Sequence, residues 1–176
     1  MIRKCIIAMI LATDMSVHFD YLDKFQKRFA APLSEETTLS EDEQNFAMAM
    51  LLHCADISNP AKPKDAYFDW TDRVLAEFYH QGDLEKQHGL AISTFYDRTK
   101  PAVAKMQAGF IQFIVRPIFS AWCDFVPSLK DLCMHHIEAH AALWKSETPP
   151  IAPEQLYVSS SKQDWDWKAA QWRMAT

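Results

Sequence analysis

The residues of this chain best suited to acid–base or metal chemistry are His53 and Asp56, at the end of an apolar stretch. They are three positions apart, so a helix would place both on one face. Asp56 precedes a turn limited by Asn59-Pro60, where a carboxylate can project into a cleft. A metal site needs three or more protein ligands. Spacing alone therefore favours the simpler alternative, in which Asp56 caps the turn and His53 is a hydrogen-bonded interior histidine.

A second group of candidates is an aromatic and aliphatic stripe that contains a polar residue. At helical spacing such a stripe usually forms core. Gln107 is the exception, because a buried glutamine needs hydrogen-bond partners for its amide. A purine edge could supply them, with Phe110 stacking on the base. The stripe consists of Tyr67, Trp70, Thr71, Val74 and Phe78 on one predicted helix, and of Met106, Gln107 and Phe110 on another.

Two further patterns make weaker cases for chemistry. His136 and His140 are one helical turn apart, a spacing that can bind zinc, but neither an HExxH glutamate nor a third ligand accompanies them. The charged run at 83–88 suggests an acid–base role, yet such a run is typical of a solvated helix face.

The elements that must position these residues are all predicted to be helices. Apolar residues recur at spacings of three and four from residue 2 to 29. A capping box at Ser40 predicts a largely buried helix to about Ala55. Three glycines in the whole chain, and no lasting strand-type alternation, argue against sheets. Further helices are predicted at 64–81, at 83–88 after an end or a bend at Gly82, from a Thr99 cap to a kink or break at Pro117, at 118–125 and at 128–145.

Composition limits the class of partner and the compartment. The net charge of -5 argues against a nucleic-acid polymer as partner, without excluding one phosphorylated ligand. The four cysteines have no CxxC spacing, so reduced thiols and a cytoplasmic location are expected. The apolar opening is too short to span a bilayer, so no membrane insertion is expected. Residues 146–176, with several prolines and three successive serines, are predicted to be a flexible tail.

Several short motifs follow one another along the chain. They are IAMILATDMS from Ile7, HCADISNP from His53, WTDRV from Trp70, EF at Glu77, QGD from Gln81 and QAGFI from Gln107. In this order they resemble the class I 3',5'-cyclic-nucleotide phosphodiesterases, over roughly residues 2–145. The resemblance implies an all-α, multi-helix bundle of the phosphodiesterase type that is incomplete at its amino-terminal side. Residues 1–145 would be the carboxy-terminal half of a catalytic domain.

The resemblance also implies an activity and roles for individual residues. The activity is hydrolysis of cAMP or cGMP to the 5'-monophosphate with two divalent metals, usually Zn²⁺ and Mg²⁺. Asp56 would be a metal ligand. Gln107 would hydrogen-bond the purine with its amide oriented by Tyr67, and Phe110 and Val74 would clamp the base. The pocket would be completed by Asn59, Met15, Leu75 and Phe78.

The chain departs from the family pattern in its metal ligands. The family's His-Asn-x-x-His and His-Asp motifs do not occur in this sequence. One carboxylate does not hold zinc tightly, so the chain alone is expected to be inactive and to need the missing amino-terminal half of the domain. Asn59 favours cAMP over cGMP, although a glutamine can pair with either purine. The alternatives are a non-catalytic helical module that binds a nucleotide or a protein, and a plain helical interaction protein.

Overall fold

The computed structural model describes residues 2–145, and among these residues there are helices and turns but no strand. The predicted all-α fold is therefore confirmed, while the predicted tail at 146–176 lies outside the described residues. Short 3-10 segments lie at Met15–Val17, Asn59–Ala61 and Pro127–Leu129, and π-helical segments at Ile111–Val115 and Lys130–Met134. The α-helices are α1 (Ile2–Leu11), α2 (His18–Arg28), α3 (Glu41–Asp56), α4 (Lys64–Gln87), α5 (Val103–Phe110), α6 (Arg116–Phe125) and α7 (His135–Lys145).

Helix α3 begins where the capping box predicted. The Ser40 hydroxyl accepts a hydrogen bond from the Glu43 backbone N–H, and the Glu43 carboxylate accepts one from the Ser40 N–H at 2.9 Å. One face of α3 is buried around Met50. The opposite face stays exposed at Met48 and Leu51, although both are apolar. The predicted burial of this helix is therefore correct for one side of it.

The core beside α3 is an aromatic cluster contributed by α2, α3 and α6. The ring of Phe25 lies 4.6 Å from that of Trp122 and 6.4 Å from that of Phe46, measured between centroids. Phe125 meets Phe25 edge-on at 6.0 Å. Aromatic pairs in this distance range attract one another beyond the contribution of their buried area. The cluster fixes α2 and α6 against α3, and so fixes the frame on which the candidate site is built.

The helical stretch predicted for residues 2–29 is divided into α1 and α2, because the chain turns sharply at Thr13 and Asp14. The helix axis changes direction by 79° between α1 and the segment Met15–Arg28. The Thr13 hydroxyl donates to the carbonyl of Ile10 at 2.8 Å, and the Asp14 carboxylate accepts from the backbone N–H of Ser16 at 2.8 Å. Polar side chains therefore cap both sides of the break, and apolar periodicity does not reveal such caps.

The same apolar opening bears on membrane insertion. Among residues 2–145 no single helix has both the length and the apolar composition needed to cross a membrane. Taken together, α1 and the segment Met15–Arg28 have the length and the apolar composition needed to cross a membrane, but they form a bent pair, and length and composition are the only criteria that they meet.

The predicted end of a helix at Gly82, with a separate helix at 83–88, is also wrong, since α4 continues through this position to Gln87. A methyl group at Gly82 would lie 2.8 Å from the carbonyl carbon of Tyr96 and closer still to its oxygen. Glycine is therefore required by a close approach of two backbone segments. The loop of Tyr96 is held there by Glu85, whose carboxylate accepts hydrogen bonds from the Ser93 backbone N–H at 2.7 Å and the Ser93 hydroxyl at 2.8 Å.

Three later predictions of helix boundaries fail for local reasons. The Thr99 hydroxyl and N–H both donate to the Asp97 carboxylate, so Thr99 closes a turn and α5 begins only at Val103. Of the kink or break predicted at Pro117, the break is wrong, because Pro117 lies in the first turn of α6, where its missing N–H is tolerated. The helix predicted at 128–145 divides into Pro127–Leu129, Lys130–Met134 and α7.

We expect Gly82→Ala to lower the free energy of unfolding by about 1–3 kcal/mol, because a backbone carbonyl cannot move aside as a flexible side chain can. Gly109→Ala is the matched control, since Gly109 lies in α5 with nothing within 4 Å of an added methyl group. Because alanine is a better helix former than glycine, the free energy of unfolding of this control should rise by up to about 1 kcal/mol. Urea denaturation followed by circular dichroism measures both, and equal effects would contradict the close approach at Gly82.

Candidate functional site

A buried chain of hydrogen bonds joins α7, α4 and α5. The Trp144 indole N–H donates to the Tyr67 hydroxyl at 2.6 Å, and this hydroxyl lies 3.0 Å from Gln107 Oε1, to which it donates. Tyr67 is fully buried, and Trp144 and Gln107 are nearly so. Because the phenol proton is directed at Oε1, the amide of Gln107 is held with its NH₂ group at the other end. The structure thus brings two predicted site residues, Tyr67 and Gln107, into direct contact.

Tyr67 is fixed on its other sides as well. Its ring stacks on that of His140 with centroids 4.0 Å apart, and the Thr71 hydroxyl donates to its backbone carbonyl at 2.8 Å. His140 Nδ1–H donates to the carbonyl of Pro60 at 2.9 Å, which ties α7 to the turn after Asp56. Burial raises the pKa of Tyr67 to about 12, so the phenol keeps its proton at neutral pH and remains a donor.

Asp56 and His53 lie in different environments although they share the last turn of α3. Asp56 is the final residue of the helix and is exposed. His53 is fully buried, and its Nε2 lies 2.8 Å from Nδ1 of His18, which is also fully buried. The interpretation of His53 as a hydrogen-bonded interior histidine is therefore confirmed.

The His18–His53 pair is neutral and only half satisfied. Burial lowers the pKa of both imidazoles, and the proximity of His53 lowers the pKa of His18 further. Each ring uses one nitrogen in the shared hydrogen bond. The other two nitrogens, His18 Nε2 and His53 Nδ1, have no hydrogen-bond partner within residues 2–145. A proton added to either ring would bring a buried charge, which costs free energy, although the nearby Asp56 carboxylate raises the pKa of His53 and so opposes part of the effect of burial.

The two residues predicted to clamp a base lie on the same helices as the hydrogen-bonded pair. Phe110 follows Gln107 by three residues on α5, and Val74 follows Tyr67 by seven residues on α4. These spacings place each apolar residue on the same side of its helix as the polar one. Phe110 and Val74 are both half-buried. A polar pair and an apolar pair are therefore carried by the same two helices.

The remaining predicted pocket residues lie at different depths. Leu75 is fully buried in the core, and the ring of Phe78 stacks on Tyr96 with centroids 4.4 Å apart. Met15 is exposed in the 3-10 segment before α2, and Asn59 is half-buried in the 3-10 segment after α3. These four residues lie on three elements, namely α4 and the two 3-10 segments.

The described residues do not by themselves fit a metal ion. Within residues 2–145 no three His, Cys, Asp or Glu side chains lie together in a way that could hold one. Asp56 therefore belongs to no such group among the described residues. The rings of His136 and His140 stack 6.2 Å apart, but His140 is engaged with Tyr67 and Pro60, so the zinc alternative for this pair gains no support.

Sequence reasoning missed the hydrogen-bonding role of Trp144 and treated His140 only as a weak metal candidate. A signal for both was present in their spacing. They are four residues apart on α7, so both lie on one face, and both carry a polar ring atom on the side of the helix that also bears the apolar Ile137 and Ala141. Buried rings of this kind need partners, and a neighbouring helix with a buried tyrosine and glutamine can supply them.

Comparison with known proteins agrees with this all-α fold. Residues 1–137 match the family described as 3'5'-cyclic nucleotide phosphodiesterase. Among curated relatives, "3',5'-cyclic-AMP phosphodiesterase 4C" of Rattus norvegicus is 35% identical over 160 residues, or 88% of this chain and 30% of the relative. "Probable 3',5'-cyclic-AMP phosphodiesterase pde-4" of Caenorhabditis elegans is 35% identical over 151 residues, or 84% of this chain and 22% of the relative.

The chain belongs to the 3'5'-cyclic nucleotide phosphodiesterase family, since the match covers most of its length. The resemblance inferred from the ordered motifs is therefore confirmed. The chain spans less than a third of the length of the relatives it matches.

We expect Tyr67→Phe to lower the free energy of unfolding by about 1–3 kcal/mol, because it leaves the buried Trp144 N–H and Gln107 Oε1 without their partner. Tyr79→Phe is the control. Tyr79 is a buried tyrosine on the same helix, and its hydroxyl makes no hydrogen bond within residues 2–145. The free energy of unfolding of Tyr79→Phe should fall by less than about 1 kcal/mol. Equal losses in urea denaturation would contradict the bridging role of the Tyr67 hydroxyl.

Acidification should destabilise the fold through its buried histidines. Burial lowers the pKa of His18, His53 and His140 below the ordinary value of 6.5. The unfolded chain therefore binds protons more readily, and stability that is full above pH 6.5 is lost below it. The loss reaches at most about 1.4 kcal/mol per pH unit for each histidine.

Urea midpoints measured between about pH 7.5 and pH 5.5 test this pH dependence. His53→Gln, which cannot gain a proton, should show a shallower dependence than the wild type, whereas the exposed His80→Gln should match it. A wild-type midpoint that does not change over this range would contradict the expectation.

Proposed function

We propose that this chain is the base-binding part of an enzyme that hydrolyses 3',5'-cyclic nucleotides, cAMP in preference to cGMP, to 5'-monophosphates. The observation that carries the proposal is the hydrogen-bond chain from Trp144 through Tyr67 to Gln107, which fixes one glutamine amide in one orientation. Membership of the phosphodiesterase family and the cyclic-AMP names of the relatives support this substrate class.

The fixed amide accounts for the preference for adenine. Gln107 presents its NH₂ group as a donor, and Oε1 keeps a second lone pair beside the one that accepts from Tyr67. The edge of adenine offers an acceptor, N7, next to a donor, the N6 amino group, whereas the same edge of guanine offers two acceptors. A glutamine whose donor and acceptor ends are both presented matches the adenine pattern. Asn59, half-buried at the turn after α3, would add a polar contact to the purine.

Phe110 and Val74 would hold the two faces of the base. An aromatic ring can stack on either purine, so this clamp contributes affinity without selecting between them. Met15 and Phe78 would form further pocket walls, and Leu75, which is fully buried, would support the wall from behind.

Asp56 would supply one ligand to a site for two divalent metals, Zn²⁺ and Mg²⁺ being the expected pair. Because Asp56 is exposed at the end of α3, its carboxylate could bind a metal that ligands from another polypeptide segment also hold. The other ligands would come from the amino-terminal half of the catalytic domain, which would also cover the exposed apolar residues of α1. Cyclic nucleotides are made and used inside cells, so a cytoplasmic location is part of the proposal.

A second candidate is a non-catalytic helical module that binds a nucleotide or a partner protein. The observation that favours it is the lack, within residues 2–145, of any side-chain group able to hold a metal. Such a module would keep the Tyr67–Gln107 contact and bind a nucleotide without hydrolysing it.

Gln107→Ala should weaken binding of cAMP to the folded chain by about tenfold or more, because it removes both polar contacts to the base edge at once. Gln87→Ala, at the exposed end of α4, should leave the affinity unchanged. Isothermal titration calorimetry measures both variants, and circular dichroism checks that each is folded. Unchanged affinity in Gln107→Ala would exclude this glutamine from base recognition.

The purified 176-residue chain should hold less than one equivalent of zinc and should not turn over cAMP, because Asp56 alone cannot bind a metal tightly. Elemental analysis and a phosphate-release assay coupled to a 5'-nucleotidase measure the two properties. Robust turnover by this chain would overturn the assignment of the other metal ligands to a missing half.

A further inference from the structure

The loop at residues 88–102, which joins α4 to α5, is held against one face of α4 by a carboxylate and by an aromatic stack. We call it the α4–α5 loop. The Ser93 backbone N–H and hydroxyl donate to the Glu85 carboxylate at 2.7 and 2.8 Å. The ring of Tyr96 stacks on that of Phe78, with centroids 4.4 Å and planes 11° apart. Phe78 and Glu85 are seven residues apart on α4, so they lie on the same face of the helix.

Further contacts restrict the α4–α5 loop around Tyr96. The backbone carbonyl of Tyr96 lies against Gly82, where a side chain would not fit. The Arg98 guanidinium donates to the two oxygens of the Asp83 carboxylate at 3.1 and 2.6 Å. Phe95 has a φ of 71°, a conformation that costs free energy in a residue other than glycine and persists only where its surroundings hold it. The conformation of this loop is therefore set by its contacts with α4.

We propose that Glu85 is a positioning residue of the base pocket, because it holds the α4–α5 loop so that Tyr96 stays stacked on Phe78. This inference rests on the proposed function, in which Phe78 forms a wall of that pocket, and Glu85 acts through Tyr96 without touching the nucleotide. Without the stack, the Phe78 ring could take up more than one rotamer. A side chain that has to be immobilised when a ligand binds lowers the affinity for that ligand.

The Glu85 carboxylate is suited to this role by its charge and by its three hydrogen bonds. Besides the two donors of Ser93, it accepts one from the Gln81 side-chain amide at 2.7 Å. The hydrogen bonds from Gln81 and Ser93 lower the pKa of Glu85, so the group is ionised at neutral pH. Hydrogen bonds to an ionised acceptor are about twice as strong as those between neutral groups. One carboxylate therefore joins the last turns of α4 to the loop.

Glu85→Ala should weaken binding of cAMP to the 176-residue chain by about two- to tenfold, the range expected when one more side chain must be immobilised on binding. Isothermal titration calorimetry measures the affinity, and urea denaturation measures the stability. Glu43→Ala is the matched control, because Glu43 also accepts the backbone N–H and the hydroxyl of one serine, Ser40, but at the start of α3. It should leave the affinity unchanged. Equal losses of affinity in both variants would overturn the positioning role.

A double-mutant cycle tests whether Glu85 acts through Tyr96. Tyr96→Ala removes the stacked ring, so adding Glu85→Ala to it should cause no further loss of affinity for cAMP. Tyr96→Phe keeps the ring and should bind as the wild type does. Additive losses in the double variant would overturn the proposal. If Glu85→Ala does not fold, Glu85→Gln takes its place in the cycle, since its amide keeps one acceptor oxygen but directs a donor at the donors of Ser93.

The same titrations separate this inference from the proposed function. If Gln107→Ala loses affinity for cAMP while Glu85→Ala binds as tightly as the wild type, the role of Glu85 is overturned and the base pocket stands. If the wild-type chain does not bind cAMP, the proposed function and the role of Glu85 are both overturned. A loss in Glu85→Ala that Glu43→Ala does not share supports both.

Discussion

The structure depends most on one buried hydroxyl group, that of Tyr67. It hydrogen-bonds to Trp144, which is 77 residues further along the chain, and to Gln107, which is 40 residues further along. Each hydrogen bond adds only about 0.5–1.5 kcal/mol to stability, but a buried polar group left without a partner costs more than that. The three helices that carry these residues must therefore keep one relative position. That constraint, more than the apolar packing around it, determines where the glutamine amide lies.

A second buried polar contact has the same effect at the other end of the candidate site. The His18–His53 hydrogen bond fixes the start of α2 against the last turns of α3, three residues before Asp56. Apolar packing alone allows helices to slide and rotate with modest loss, whereas a directional contact between two imidazoles does not. The Gln107 end and the Asp56 end of the candidate site are thus each held by a polar contact inside the core.

The sequence was informative where structure is determined locally. The capping box at Ser40 and the anomaly of Gln107 in an apolar stripe could be read directly, because each depends on neighbours a few residues away. The role of Gly82 could not be read in this way, because it depends on the close approach of the Tyr96 backbone from a separate loop. The partner of Tyr67 on α7 was equally hidden, because pairing across 77 residues leaves no mark in local periodicity. The ordered family motifs supplied the roles that spacing alone left open.

The π-helical segment Ile111–Val115 limits how this chain tolerates insertions and deletions. A π turn holds one residue more than an α turn, and each residue of an α-helix advances about 100° around the axis. Loss of a single residue there would restore a regular helix and rotate α5 by roughly 100° relative to α6. Since Ile118 and Trp122 anchor α6 in the core, the rotation would turn Gln107 and Phe110 away from α4. The phase of this helix therefore determines where the Gln107 and Phe110 side chains lie, as much as the packing of either residue does.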